Sequence, residues 1–270
     1  MKVLALIKSI KQAKELKDFV SGFVLPIDDL SINYEKTLSL DDIKVISKIK
    51  PVFVVVNKNI HNSELDYLEK VLLEIDKINV LGIIFYDISI VNLKKKLNLK
   101  APLVWAQEHL VTNFVTINYW YEKGVDYAYL SSELTKEEMD LIAENSKAKT
   151  IINVFGYLPM FTSRRHVVDN YLDYFNLESK RSLKRIYKEN KYYFVQDDEK
   201  GTTVYSDYIL NILDQSFENY DYILFNSNFI SDDDFYDTLL KYKENKKDYR
   251  FPFNYGFLCK ETIYKVKKDE

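Results

Sequence analysis

The chain has 270 residues, 47% of them hydrophobic and 29% charged, and a formal charge of −3. This composition can bury a large core without covalent staples and excludes disorder as the dominant state. One cysteine excludes an intramolecular disulfide framework and any Cys-only zinc or iron–sulfur site, and the slight acidity leaves nucleic-acid binding to a local basic patch.

The opening MKVLALIKSIKQAKEL holds an apolar run too short for a signal peptide, and no run approaches the ~20 residues of a membrane span. A cytoplasmic protein with no membrane partner is expected. KVLALI (2–7) reads as a strand and is followed by a helical pattern ending near Phe19. GFVLP (22–26) leads to SLDDIKVISKI, where Ser39 and Asp42 have capping-box spacing. VFVVVN (52–57) precedes a helix whose Leu65, Leu68, Leu72 and Ile75 share one face. VLGIIFYD (80–87) precedes a helix to about Leu97, and APLVWAQ (101–107) precedes one closed by Gly124. DYAYLSS (126–132) precedes a helix boxed by Thr135 and Glu138, and TIINVFG (150–156) is the seventh strand. The period then breaks. Short strands around KENK and DDEKG within 182–206 read as an inserted hairpin. DYILFNS (221–227) is the eighth strand, and Ser231 caps a last helix with Phe235 and Leu239 inward.

Eight strand–helix units of roughly 25–30 residues predict a (β/α)8 barrel. The alternative is an open doubly wound sheet, but nothing resembling GxGxxG is present. The reading is one domain over 1–270, with a hairpin inserted at 175–206 and a C-terminal extension at 244–270.

In such barrels chemistry sits on the loops after the strands' C-terminal ends. Asn57 and His61 follow the third strand and Asp87 ends the fourth. Gln107, Glu108 and His109 follow the fifth, and Ser131, Ser132 and Glu133 end the sixth. Arg164, Arg165 and His166 follow the seventh, and Asn226 and Ser227 end the eighth. All three histidines thus fall on one predicted face, although His61 also reads as simply solvated. Asp87, Gln107, His109, Glu133 and His166 are the candidate catalytic residues. Asn57, Asn113, Arg164 and Arg165 are the candidates for substrate or anion binding, and no metal site is assigned.

VFGYLPMFTSRRHVVDNYL (154–172) concentrates Gly156, Pro159, two of the chain's five arginines and His166. Gly156 and Pro159 are expected to turn the chain out of the seventh strand, and Arg164 and Arg165 to open a helix. Two cations at a helix N-terminus are unfavourable unless an anion offsets them. That anion is either a bound carboxylate or phosphate, or an internal partner such as Glu133 or Asp87. Further on, Arg181, Lys184, Arg185, Lys188 and Lys191, with Lys180, interleave with Tyr187, Tyr192 and Tyr193. They read as an RNA contact made through phosphates and stacked bases, or as a solvated hairpin.

The chain resembles peptidase family U32, the collagenase-like peptidases. AQEHLVTNFVTINYWYEKGVDYAYLSSELTKEEM (106–139), FYDISIVNL (85–93) and NYGFLCKETIYKVKK (254–268) are similar to family segments, and 154–172 resembles the family signature. Where that signature carries two cysteines, this chain has Pro159 or Met160, and His166. The resemblance implies relatives that bind an iron–sulfur cluster through such cysteines. It also implies oxygen-independent or prephenate-linked hydroxylation of transfer RNA, ribosomal RNA or the ubiquinone ring. For this cysteine-less branch the expectation is an accessory or divergent role in tRNA wobble-uridine hydroxylation without its own iron–sulfur cluster. Its expected partners are tRNA and a cysteine-bearing family homologue. One alternative is a peptidase, including a metal-assisted form using His109, His166 and Glu133 or Glu108, though no HExxH spacing supports it. The other is a non-catalytic binding or scaffold barrel.

Overall fold

The computed structural model describes residues 1–78, 80–178 and 183–260. In chain order the elements are β1 (Lys2–Leu6), α1 (Ile10–Leu16), β2 (Gly22–Pro26), α2 (Leu40–Ser47), β3 (Val52–Val56), α3 (Leu65–Asp76), β4 (Val80–Phe85) and α4 (Ser89–Leu97). There follow β5 (Leu103–Trp105), α5 (Phe114–Glu122), β6 (Tyr127–Tyr129), α6 (Lys136–Asn145), β7 (Lys149–Ser163) and α7 (Val167–Tyr174). The chain continues through β8 (Leu183–Lys188), β9 (Lys191–Asp198), β10 (Gly201–Asn211), β11 (Tyr222–Phe225) and α8 (Asp232–Lys243).

Strands β1 to β7 pair in parallel in sequence order, and β11 pairs with both β1 and β7. The eight strands therefore close into a TIM barrel with helices between strands, and β8 to β10 are bonded outside it. Strands buried on both sides need apolar residues at every position, and all five residues of Val52–Val56 are buried. Alternation divides the core. Leu4, Leu6, Val24, Phe53, Val55, Ile84 and Val104 fill the barrel, whereas Ala5, Phe23, Val54 and Ile83 face the helices. Edge-to-face contacts of Phe53 with Tyr127 (5.4 Å) and Tyr222 (5.6 Å) plug the end where the strands begin.

The helices start where the caps predict. Ser39, Thr135 and Ser231 accept from the backbone N–H groups of Asp42, Glu138 and Asp234 at 3.1, 3.3 and 3.2 Å. Leu68, Leu72 and Ile75 face the core with Val71, and Phe235 and Leu239 are buried under α8.

The largest difference from the sequence reading lies in β7. Gly156 and Pro159 do not turn the chain away. The strand runs on to Ser163 and, beyond the barrel, pairs antiparallel with β10. Gly156 sits where one pairing gives way to the other, at φ +123°, and a Cβ there would lie 2.5 Å from the Asn226 carbonyl oxygen. The inserted unit is therefore more than a hairpin. It comprises the outer half of β7, α7, and three antiparallel strands, β8 to β10.

The described part of the C-terminal extension packs back on the barrel. Asn254 bridges Asn211, the Leu258 carbonyl accepts from the Lys136 N–H at 2.9 Å, and Phe251, Phe253 and Tyr255 pack against the core. Among the described residues, no helix is long and apolar enough to cross a membrane.

Candidate functional site

A cavity of about 120 Å³ opens above Ile84 and Ala106, where the barrel strands end. A wider cleft of about 450 Å³ adjoins it, and both are lined by Asn33, Tyr86, Glu108, His109 and Met160. The inner cavity is walled by Tyr34 from the loop after β2, Tyr86 directly after β4 and Tyr129 at the end of β6. Glu108 stands among these rings and accepts from the Tyr86 hydroxyl at 2.7 Å. Burial pushes its pKa up to about 7, against the Tyr86 hydrogen bond and the charge of His109, which pull it down. The tyrosines respond in turn. Burial, and then the negative charge of Glu108, raises the Tyr86 and Tyr129 pKa values above the ordinary phenol value. A carboxyl that changes its proton near neutrality inside an enclosed mouth can donate or accept a hydrogen bond and can pass a proton to a bound ligand.

The candidate residues separate into distinct settings. His109 and Glu133 come together at the mouth, His109 Nδ1 lying 3.1 Å from Glu133 Oε1, and both line the cavity. Asp87 accepts from the backbone N–H groups of Ile60 and Ser89, each at 2.9 Å, and so ties the loop after β3 to the start of α4. Gln107 donates to the Tyr86 carbonyl at 2.6 Å and accepts from Trp105 Nε1 at 3.1 Å, which fixes the backbone that presents Tyr86. Asn57 is buried and clamps both backbone groups of Ile32, next to Asn33 and Tyr34. Asn113 caps α5 by accepting from the Thr116 N–H at 2.8 Å. Asn57 and Gln107 thus support the mouth from behind, and Asp87 and Asn113 order loops and helix starts.

His166 lies away from the mouth, at the N-cap of α7, with Nδ1 3.2 Å from Asp197 Oδ1. The Asp197 carboxylate on β9 is fully buried and also accepts from the Val168 and Asp169 N–H groups at 2.8 and 3.0 Å. Asp197 is thus a built-in carboxylate at the helix start, while the ion-pair partner of Arg164 is Glu64 rather than Glu133 or Asp87. Arg164 donates to the Asn59 carbonyl at 2.6 Å, lies 3.9 Å from Glu64, and lines the outer cleft. The Arg165 backbone is fixed by Ser163 and Thr202, and the residue is exposed. His166, Asp169 and Asp197 bring one ligand atom each within 4.8 Å of one another. The Lys184 ammonium, 2.5 Å from Asp169, and the helix N–H groups on Asp197 already satisfy these carboxylates.

Of the basic residues assigned to RNA, Arg181 lies outside the described residues. Lys184 pairs with Asp169, Lys191 with Asp207 at 3.0 Å, and Lys188 with Glu189 at 3.7 Å. Arg185 lies over the Phe194 ring at 4.9 Å. The β8–β9 register puts Arg185, Tyr187, Tyr192 and Phe194 on one face. Tyr187 and Tyr192 are exposed, with ring centroids 4.8 Å apart.

Sequence reasoning missed Tyr34, Tyr86 and Tyr129, and it placed Glu108 after the fifth strand but gave it a role only in the metal-assisted alternative. The available signal was position, because Tyr86 and Glu108 fall within three residues of a strand's C-terminal end.

The comparisons with known proteins agree with this architecture. A solved structure described as the U32 peptidase Mk0906 superposes with a TM-score of 0.55 at 12% identity, covering 84% of this chain and 92% of that one. At that identity the likeness concerns the fold. The tRNA hydroxylation protein P2 of Bacillus subtilis (strain 168) is 29% identical over 173 residues, 61% of this chain and 56% of that protein's length. The family model for peptidase family U32 matches residues 33–224, a span that holds most of the mouth, the signature stretch and the inserted strands. The chain belongs to peptidase family U32.

Proposed function

We propose that this chain acts in hydroxylation of the tRNA wobble uridine, as an accessory or divergent member of its family, in the cytoplasm. The observation that carries the reading is its likeness to the tRNA hydroxylation protein P2 over 173 residues. Two features of the molecule support it. The mouth gathers polar groups around an enclosed carboxyl, and the β8–β9 ribbon presents Arg185 beside exposed tyrosines on one face.

The residues present do not fit an iron–sulfur cluster. Pro159 and Met160 line the mouth, His166 is tied to Asp197, and the single cysteine, Cys259, is exposed on the C-terminal extension. Four thiolates are the usual requirement. The oxidative step is therefore assigned to a partner, a cysteine-bearing family homologue, while this chain binds and positions. A peptidase reading lacks its nucleophile, because among the described residues no serine, threonine or cysteine side chain hydrogen-bonds His109.

The test is the tRNA nucleoside profile of a deletion strain. Loss of hydroxylated wobble uridine, restored by the intact gene, is the expected result. An unchanged profile overturns the proposal, and peptide cleavage by the purified chain that disappears in His109→Ala would replace it with the peptidase reading.

A further inference from the structure

We propose that the inner cavity of the mouth recognises the edge of an uncharged ring carrying an N–H donor beside a carbonyl acceptor, as uracil presents. This rests on the RNA reading above and names what the mouth itself holds.

Charge comes first. Among the described residues, no lysine or arginine lines the inner cavity, and two carboxyl groups, Glu108 and Glu133, do. An anion placed there would face both carboxyl groups, and the one side chain of the described lining that can carry positive charge, the His109 imidazole, is already 3.1 Å from Glu133. Arg164 reaches only the outer cleft, where Asn59 and Glu64 already engage it. The pocket walls come second. Ile84, Ala106 and Leu158 supply apolar surface and the tyrosines supply ring faces, an environment that suits a flat heterocycle.

The polar groups come third. Asn153 lines the cavity and is buried, and its Oδ1 has no hydrogen-bond partner. A buried acceptor left unmade is costly, and a ligand N–H would satisfy it. Glu108 offers the complement: a protonated carboxyl donates through its hydroxyl to a ligand carbonyl. The ionisable groups facing Glu108 are Tyr86, Tyr34, Tyr129 and Tyr205 from the surrounding strands and loops, with His109 and Glu133 at the rim. Burial raises the pKa of all four phenols, so they stay protonated while Glu108 changes state.

The experiment is titration of the full chain with uridine, adenosine and succinate by calorimetry or ligand-observed NMR, at about pH 6 and about pH 8. Uridine is expected to bind more tightly at the lower pH, and adenosine and succinate at least tenfold more weakly. Glu108→Gln, which keeps a donor and an acceptor, should flatten the pH dependence, and His109→Gln, which removes a charge that lowers the Glu108 pKa, should move the dependence to higher pH without abolishing it. Asn153→Leu should weaken uridine about tenfold, the loss of roughly one hydrogen bond. Equal binding of uridine and adenosine, tighter binding of succinate, or no uridine binding overturns the inference. If uridine fails to bind but the deletion strain lacks hydroxylated wobble uridine, the function stands and this site assignment falls.

Discussion

Replacing Glu108 with Gln should stabilise the protein, and only above acid pH. The carboxyl titrates near 4.5 when exposed and at about 7 in the fold. The folded state therefore holds a proton that the unfolded chain has already lost, and stability falls as pH rises from about 4.5 to about 7. Below that window both states are protonated and the group costs nothing; above it the full cost is present. At about 1.4 kcal/mol for each pH unit, the cost of ionising Glu108 in place reaches roughly 3 kcal/mol. The glutamine amide is close in shape, cannot ionise, and can still accept from the Tyr86 hydroxyl. The folded value of about 7 already includes the lowering by the charge-assisted Tyr86 bond, so that bond is not subtracted again. Urea unfolding should thus show the variant about 1–3 kcal/mol more stable at about pH 8 and close to the parent at about pH 4. A variant that is destabilised equally at both pH values would refute the enclosed-carboxyl argument, because it would mean that packing or the Tyr86 bond decides the effect.

Three further outcomes follow from the geometry. Asp197→Ala should free the first N–H groups of α7, cost about 1–3 kcal/mol locally, and speed proteolysis between Arg164 and Glu178 without lowering the barrel's main unfolding midpoint. Gly156→Ala, placed at φ +123° against the Asn226 carbonyl, should destabilise the whole chain by about 1–3 kcal/mol in the same urea assay. Arg185→Glu combined with Tyr187→Ala and Tyr192→Ala should weaken single-stranded RNA binding and flatten its salt dependence, while Lys184→Ala should change stability rather than affinity; the reverse order would move the RNA off this face.

The barrel was legible because parallel strands buried on both faces leave a strong trace. Val52–Val56 and Val80–Phe85 stand as nearly unbroken apolar runs, and serine or threonine caps mark several of the helices that follow. The outer half of β7 left no such trace. Its residues pair on one side with β10 across two register shifts that flank the Pro159–Tyr205 pair, and Met160 and Phe161 are exposed. Proline and glycine in that stretch read as a turn because their usual meaning is local, whereas here a long-range pairing overrides it. The mouth was half legible. The rule that loops follow strands placed His109 and Glu133 correctly at the rim, but it could not separate them from Asp87 or Asn113, whose side chains the backbone consumes. The tyrosines were hidden by composition: in a chain with 22 of them, three at strand ends carry no statistical weight. Their meaning appears only when the barrel closes and brings them around one carboxyl.

The placement of charge then divides the labour within the molecule. Lys184 is held by Asp169 and Lys191 by Asp207, so two of the cations that sequence grouped as one RNA surface are committed to the inserted unit's own structure, and Arg164, read as an anion ligand, is engaged by Asn59 and Glu64 of the loop after β3. The inner mouth, which would need a cation to take a carboxylate or phosphate, has no lysine or arginine among the described residues, and its His109 is paired with Glu133. An RNA strand would accordingly meet two different chemistries. Its backbone and stacked bases would be met at the ribbon, where Arg185, Tyr187 and Tyr192 share a face, and a single ring would be read at the barrel mouth. Salt should therefore weaken RNA binding through the ribbon while leaving nucleoside binding at the mouth nearly unchanged, because an uncharged ligand releases no counterions. Parallel salt titrations of an RNA oligomer and of uridine measure this directly. Equal salt slopes for the two would show that one charged site takes both.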